Sequence, residues 1–269
     1  MATLMPTFVA LIAVIPKAPA ATATTLSEID IAKAIALETI FLAVDLIMGK
    51  CYLGYPHIAH WASAVFHYLK HMIWWPSEVP TIQHGLFTLR PLCEADADAI
   101  YQSCQDPLIP KFTTVPANYT IELAQDFLRS KTPRLFEERK AIHWALTINK
   151  EVSPAAIKVN GETFLGPFSI HSIEEHNHIG EIGYWLNNAV RGHGYGAIGC
   201  QVITNYAFET LGFRRLAGLV DSDNQASKKV LLTAGYTHEG LMKSRVTSAD
   251  GSQIDMDLFA ATADSWITI

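Results

Sequence analysis

A glycine-rich loop between a strand and a helix constrains this sequence more than any other feature. Hydrophobic patterning predicts a strand over residues 178–186 and a helix over 195–211. Gly192, Gly194 and Gly196 lie where the two meet. Glycines at this spacing let successive backbone N–H groups turn toward one point, and the helix N-terminus adds partial positive charge. The loop predicts a diphosphate site, with a ligand-free glycine turn as the alternative.

Two common phosphate-binding patterns fit this loop poorly. A Walker A loop requires a lysine after its last glycine, and none follows here. The run from Gly194 to Gly199 matches Gly-x-Gly-x-x-Gly, and Asp221 lies some twenty residues further on. In a dinucleotide-binding fold, however, the first glycine directly follows the first strand of the domain. Here residues 187–190 intervene and four predicted strands come earlier, which disfavours that fold.

Strands and helices alternate through residues 81–269 in the order β-α-α-β-β-β-α-β-α-β-β. This order predicts the α/β (α+β) class, with one domain built on a mixed central sheet of about seven strands and flanking helices. A hairpin is expected through 174–177, and the stretch 106–118 is polar and broken by prolines. The predicted strands cover 86–90, 141–148, 164–173, 178–186, 215–220, 238–247 and 253–260, and the helices 94–105, 121–130, 195–211 and 224–234.

Residues 1–80 differ in composition, because they contain only four lysines and five acidic residues. Residues 7–15 resemble the apolar part of a signal peptide, but no basic residue precedes Lys17. A largely apolar helix is predicted over 26–48 and an amphipathic helix over 57–75. We expect an N-terminal apolar helical extension of unknown role. It could dock on residues 81–269, on a second copy in a homodimer, or on a membrane surface.

Composition excludes several functional classes. The chain is 49% apolar and 17% charged, which is incompatible with a disordered protein. Its net charge of −6 argues against nucleic acid as a partner and fits a cationic amine better. Four cysteines without a Cys-x-x-Cys pair indicate a reducing, cytoplasmic setting. No metal site is expected, because the His67/His71 pair lacks the glutamate and further ligands of a zinc motif.

The loop and its flanks resemble one known family. The run from Arg191 to Gly196 fits the acetyl-CoA loop (Arg/Gln)-x-x-Gly-x-(Gly/Ala) of the GNAT acetyltransferase superfamily. Segments 86–92, 181–186, 223–227 and 234–240 are similar to its RimJ/RimL-like ribosomal-protein N-acetyltransferase branch, so the resemblance spans about 84–262. It implies a GNAT fold and an acetyl-CoA-dependent N-acetyltransferase that moves an acetyl group to a primary amine by direct attack in a ternary complex.

The resemblance also implies which residues bind the co-substrate. The strand before the loop would separate from the next strand and leave a gap for the pantetheine arm. Backbone groups of three strand residues would contact the pantetheine and the thioester carbonyl: Tyr184, Trp185 and Leu186. The loop would hold the pyrophosphate with Arg191, Gly192, His193, Gly194, Tyr195 and Gly196.

Three residues are catalytic candidates by the same resemblance. Glu181 would be the general base that deprotonates the amine, with a solvent-facing strand carboxylate as the alternative. Asn224 and Ser227 would bond the co-substrate, and Ser227 would protonate the departing thiolate. From the sequence alone, Asn224 or Asp223 could simply be a helix N-cap.

Two positions depart from the family pattern. Leu231 occupies the position where many members have a tyrosine that acts as the general acid. Val246 occupies the position where some RimL-like members have a glutamate. These departures leave open a CoA-binding regulatory module without transfer activity. The helices predicted in residues 1–80 leave open a second alternative, a membrane-surface protein that acts through them. The loops at 106–120 and 131–140, where an acceptor would bind, carry no shared chemical signature.

Overall fold

The computed structural model describes residues 73–248 and 251–268, which form one compact unit beginning at Ile73. The predicted helix over 26–48 and most of that over 57–75 lie outside these residues, so the extension stays a prediction. Residues 73–75, expected as the end of the second helix, are not helical. Ile73 is buried, and Trp74 donates its backbone N–H to the carbonyl of Leu211 at 2.8 Å. These residues therefore pack against the domain.

A mixed sheet forms the centre of the domain, as predicted. Its strand order is β1-β2-β3-β5-β6-β7-β9-β8, and β4 pairs with β5. Among these pairs only β6 and β7 run parallel. The sheet has nine strands where about seven were expected, because β1 and β4 are too short to show alternation. The strands are β1 Ile82–His84, β2 Phe87–Pro91, β3 Ile142–Ile148, β4 Lys158–Val159, β5 Glu162–Glu174, β6 Ile179–Tyr184, β7 Arg215–Asp221, β8 Thr237–Thr247 and β9 Gln253–Thr262.

Helices flank the sheet, and two apolar cores lie in the unit. The long helix after the glycine loop was predicted correctly, ending in a π-helical turn at Ala207–Leu211. The helix predicted over 121–130 continues further, through a π-helical turn at Phe127–Lys131. A short helix also forms within the proline-broken stretch. The α-helices are α1 Ala97–Ser103, α2 Leu108–Phe112, α3 Ile121–Asp126, α4 Thr132–Glu137, α5 Tyr195–Tyr206 and α6 Gln225–Ala234.

Close packing of α5 on the sheet explains the misleading Gly-x-Gly-x-x-Gly match. A Cβ atom on Gly199 would lie 2.4 Å from Cζ of Phe168, whose ring is fully buried on β5. Gly199 is therefore a packing residue of α5. It lets the helix approach β5, and the pattern arises without a dinucleotide-binding fold.

A buried ion pair ties β2 to α1. The guanidinium of Arg90 donates to both carboxylate oxygens of Asp96, at 2.6 and 2.8 Å, and Asp96 is fully buried. The backbone N–H of Cys93 donates to the same carboxylate at 2.8 Å. Removing one member of such a pair leaves a buried charge without compensation.

We therefore expect Asp96→Ala to lower the free energy of unfolding by about 3 kcal/mol or more. Urea denaturation followed by circular dichroism measures this loss. Glu94→Gln is the matched control, since Glu94 pairs with Arg129 at 2.9 Å on the surface of the same region. That exposed pair should contribute little. Equal effects of the two substitutions would contradict the structural role of the buried pair.

Candidate functional site

The parallel strands β6 and β7 separate part-way along their length. They pair only where Ile179–Glu181 faces Arg215–Ala217. Beyond this point β6 stays paired with β5 as far as Tyr184, and β7 stays paired with β9 as far as Asp221. A gap therefore opens between the second halves of two adjacent strands. This confirms the strand separation that the family resemblance implied.

Backbone groups of β6 line one side of this gap. Backbone groups of successive strand residues point to opposite sides. Trp185 directs its backbone N–H toward the carbonyl of Pro167 on β5, at 3.4 Å. The backbone N–H and C=O of the preceding residue, Tyr184, therefore point the other way, toward the gap. The carbonyl of Leu186 is already used, since it accepts from Arg191. Of the three residues expected to offer backbone groups, Tyr184 is thus the best placed.

The glycine loop lies at the open end of the gap. Gly192 and Gly194 adopt positive φ angles of 83° and 80°, and nothing lies within 4 Å of a Cβ atom placed on either residue. Gly194 is the N-cap of α5. Within residues 73–248 and 251–268, the N–H groups of 192–196 have no hydrogen-bond acceptor. Free donors at a helix N-terminus, with open space in front of them, make an anion-binding site.

Arg191 holds the loop in place. Its guanidinium donates to the carbonyl of Leu186 from Nε and Nη2, at 3.0 and 2.8 Å, and forms an ion pair with Asp106 at 2.5 Å. Nearby, the amide of Asn187 donates to the hydroxyl of Ser103 at 2.8 Å. The charge of Arg191 is therefore balanced within the protein. The sequence did not predict the role of Asp106, because no local pattern connects it with Arg191, which is distant in the chain.

His193 and Tyr195 brace the loop through their side chains. Their rings stack with centroids 5.4 Å apart, and Tyr195 meets the edge of Phe87 at 5.5 Å. The Nδ1 atom of His193 lies 2.9 Å from the carbonyl of Arg191. A carbonyl oxygen only accepts, so Nδ1 carries the proton. These contacts hold His193 in the loop and Tyr195 at the first position of α5.

Asn224, Ser227 and Tyr184 meet on the face of the sheet that α6 covers. Asn224 caps α6 by accepting from the N–H of Ser227 at 3.0 Å, which confirms its N-cap interpretation. The hydroxyls of Ser227 and Tyr184 are 2.9 Å apart. The Tyr184 ring stacks on Phe168 with centroids 5.3 Å apart. Burial raises the pKa of the Tyr184 phenol well above its usual value, so the phenol keeps its proton.

The Tyr184 side chain was missed by the sequence analysis, which gave this residue only a backbone role. Strand alternation could have predicted this role, because it places the Tyr184 side chain on the same face of β6 as Ile182, the face that packs on the helices. Leu231, at the position of the family tyrosine, is buried, and a Cβ atom on Gly218 would lie 2.7 Å from its Cδ1. The hydroxyl beside Ser227 therefore comes from the strand and not from α6.

The first turn of α6 is anchored to the last two strands. Lys228, directly after Ser227, forms an ion pair with the buried carboxylate of Asp257 on β9. His238 on β8 also contacts Asp257, at 2.6 Å. The hydrogen bond from Lys228 is the main reason that the pKa of Asp257 is lowered, partly offset by its burial. This carboxylate fixes the position of Ser227 relative to the sheet.

Glu181 lies on the opposite face of β6, together with Gly183, as alternation predicted. It is half-buried, and its direct neighbour on β5 is His171. Val246 is exposed on β8. No group of three or more His, Cys, Asp or Glu residues suitable for a metal ion occurs in the described part of the chain.

The described helices include none that is long and apolar enough to cross a membrane.

Comparison with known protein families identifies the family to which this chain belongs. Residues 87–237 match the acetyltransferase (GNAT) domain, more than half of the chain. The chain belongs to the GNAT acetyltransferase family. The match includes β6, the glycine loop, α5, β7 and the whole of α6, which are the elements that form the gap and its surroundings. GNAT enzymes use acetyl-CoA, and the free N–H groups and open gap described above fit it.

Several relatives are N-acetyltransferases by name. The chain is similar to the uncharacterized N-acetyltransferase YoaA of Bacillus subtilis, with 21% identity over 67% of this chain and 96% of that one. It is 30% identical to the ribosomal-protein-serine acetyltransferase of Escherichia coli over 39% of this chain and 58% of the relative. The structure of Mycobacterium smegmatis RimJ with CoA-disulfide has a TM-score of 0.59 at 19% identity, covering 71% of this chain and 91% of RimJ. The RimJ/RimL-like resemblance is thus confirmed, and the chain is an N-acetyltransferase.

We expect Gly194→Val to abolish acetyl-CoA binding, because the added side chain would project into the space in front of the free N–H groups. Isothermal titration calorimetry measures the change in Kd. Gly161→Val is the matched control, since Gly161 has a φ of 86° and nothing within 4 Å of its Cβ position. Both variants carry similar backbone strain, and Gly161 lies in a turn before β5. Retained binding in Gly194→Val would contradict the assignment of the loop.

Proposed function

We propose that this GNAT domain transfers the acetyl group of acetyl-CoA to a primary amine by direct attack in a ternary complex. The gap between β6 and β7, which ends at the free N–H groups of the glycine loop, carries the proposal. The N–H groups of Gly192, Gly194, Tyr195 and Gly196 would hold the pyrophosphate. The backbone of Tyr184 would contact the pantetheine arm and direct an N–H to the thioester carbonyl. A donor at that oxygen stabilises the developing oxyanion.

Ser227 would protonate the leaving thiolate. In the reaction a C–N bond forms between the amine and the acetyl carbon, and the C–S bond breaks. The Ser227 hydroxyl donates its proton to sulfur, and the neutral phenol of Tyr184, 2.9 Å away, resupplies it. The phenol in turn recovers its proton from solvent. This pair would replace the acid that Leu231 cannot provide.

The amine would approach from the face of β6 that carries Glu181, where the sequence analysis expected the general base. An ammonium group must lose a proton before it can attack a thioester. Protein N-terminal amines are the acceptor class we propose. The similarity to a ribosomal-protein-serine acetyltransferase supports this class, and the net charge of −6 fits a cationic acceptor.

We expect the purified protein to consume acetyl-CoA in the presence of peptides with N-terminal serine or alanine, or of small primary amines. Release of the CoA thiol and a mass increase of one acetyl group on the amine measure the transfer. Initial-rate kinetics should show a sequential mechanism, since no covalent enzyme intermediate forms.

Ser227→Ala tests the assigned acid. This variant should lower kcat by about 100-fold, the lower end of the range for general acid catalysis, and leave the Kd of acetyl-CoA nearly unchanged. Ser222→Ala, at a half-buried serine before α6, is the control and should keep wild-type kcat. Binding of acetyl-CoA without transfer to any amine would instead indicate a CoA-binding regulatory module.

A further inference from the structure

We propose that His171 accepts the proton of the attacking amine and that Glu181, its neighbour across the strand pair, stabilises the imidazolium that results. The inference rests on the proposed transfer reaction and assigns its proton acceptor. His171 would be a catalytic residue, whereas Glu181 would act through it as a positioning residue.

Gly183 brings the His171 ring to the gap. A Cβ atom on Gly183 would lie 2.8 Å from Nε2 of His171 and 3.0 Å from the hydroxyl of Ser169. The imidazole therefore lies directly over the backbone of Gly183, in the part of β6 that no longer pairs with β7. Any side chain at this position would displace the ring. Because Gly183 has no side chain, Nε2 of His171 lies beside the β6 backbone where the thioester is proposed to bind.

A bulge in β5 orients the ring. The register of β5 against β6 shifts between His171 and Glu174, and Ser172 adopts a positive φ of 50° there. Its hydroxyl lies 3.0 Å from Nδ1 of His171. When Nδ1–H donates to this hydroxyl, Nε2 carries the lone pair. Nε2 has no hydrogen-bond partner among the described residues, so it is free to accept a proton from a substrate.

The charges around His171 suit this role. Glu181 faces it from β6, and His143 interacts with it from β3. Burial lowers the pKa of His171, and Glu181 opposes this effect, so the imidazole is neutral at pH 7. Burial, followed by His171 and Lys131, lowers the pKa of His143 to about 4, which keeps that second ring uncharged. Glu181 therefore provides the negative charge that favours proton uptake.

The proton balance of the step is simple. The ammonium first releases one proton to solvent. As the neutral amine nitrogen then bonds to the acetyl carbon, its remaining N–H proton becomes acidic and passes to Nε2 of His171. The imidazolium then returns the proton to water. The base on this face and the Ser227–Tyr184 acid on the other face lie on opposite sides of β6.

The test compares His171→Gln, Glu181→Gln and the control His176→Gln, which changes an exposed histidine in the turn before β6. The kcat/KM for a peptide with an N-terminal serine, or for the small amine that the wild-type protein acetylates, is measured against pH. We expect His171→Gln to lower kcat by about 100-fold or more and to remove the inflection of His171 from the acidic limb of the profile, leaving only that of the substrate amine. Glu181→Gln should retain the His171 inflection but move it to lower pH, because loss of a negative neighbour lowers the pKa of His171. His176→Gln should match the wild type.

Two measurements keep the outcomes distinct. Acetyl-CoA Kd and melting temperature show whether each variant is folded, and His171→Asn is a second variant for the case in which the glutamine disturbs β5. If the wild-type protein acetylates no amine, the proposed function fails and this inference fails with it. If transfer occurs but folded His171 variants keep kcat within about twofold, far below the usual contribution of a general base, only this inference is wrong. Loss of the enzyme's own inflection from the acidic limb in Glu181→Gln alone would likewise assign the base to Glu181.

Discussion

The early separation of β6 from β7 is the constraint on which the rest of the site depends. Parallel neighbours in a sheet normally satisfy each other's backbone groups, but these two strands pair only over Ile179–Glu181 and Arg215–Ala217. Each remains paired on its outer side with an antiparallel partner, β5 or β9, along the stretch where the two separate. Arg191 and Asp106 then fix the loop that follows β6. A backbone-lined gap with an anion site at its end suits a long co-substrate that ends in a diphosphate.

The gap also separates two kinds of chemistry. Side chains alternate along β6, so Tyr184 points toward the helices α5 and α6, while Glu181 and Gly183 face the other way. The helix side is apolar and keeps the Tyr184–Ser227 hydroxyl pair protonated. The other side holds a carboxylate beside a histidine. The proton donor, the Tyr184–Ser227 hydroxyl pair, and the proposed proton acceptor beside Glu181 therefore lie on opposite faces of β6. The thioester would lie between them.

Local patterns in the sequence predicted much of this arrangement. Alternation and turn residues predicted the seven longer strands, and the glycine spacing predicted the loop and α5. The short strands β1 and β4 carried no such pattern. The Arg191–Asp106 ion pair and the Tyr184–Ser227 hydroxyl contact join residues far apart in the chain, and periodicity holds no information on such distances. The sequence does not distinguish His171 from the other histidines of the domain. Only the strand register shows that it lies opposite Glu181 and over Gly183.

A crystal structure of the complex with CoA tests the central claim most directly. The account predicts the pyrophosphate on the N–H groups of residues 192–196, the pantetheine arm between β6 and β7, and the sulfur within hydrogen-bond reach of the Ser227 hydroxyl. It also predicts that β6 and β7 pair only over Ile179–Glu181 and Arg215–Ala217 in the complex. CoA bound elsewhere, or a gap closed by pairing of Ile182–Tyr184 with β7, would contradict it.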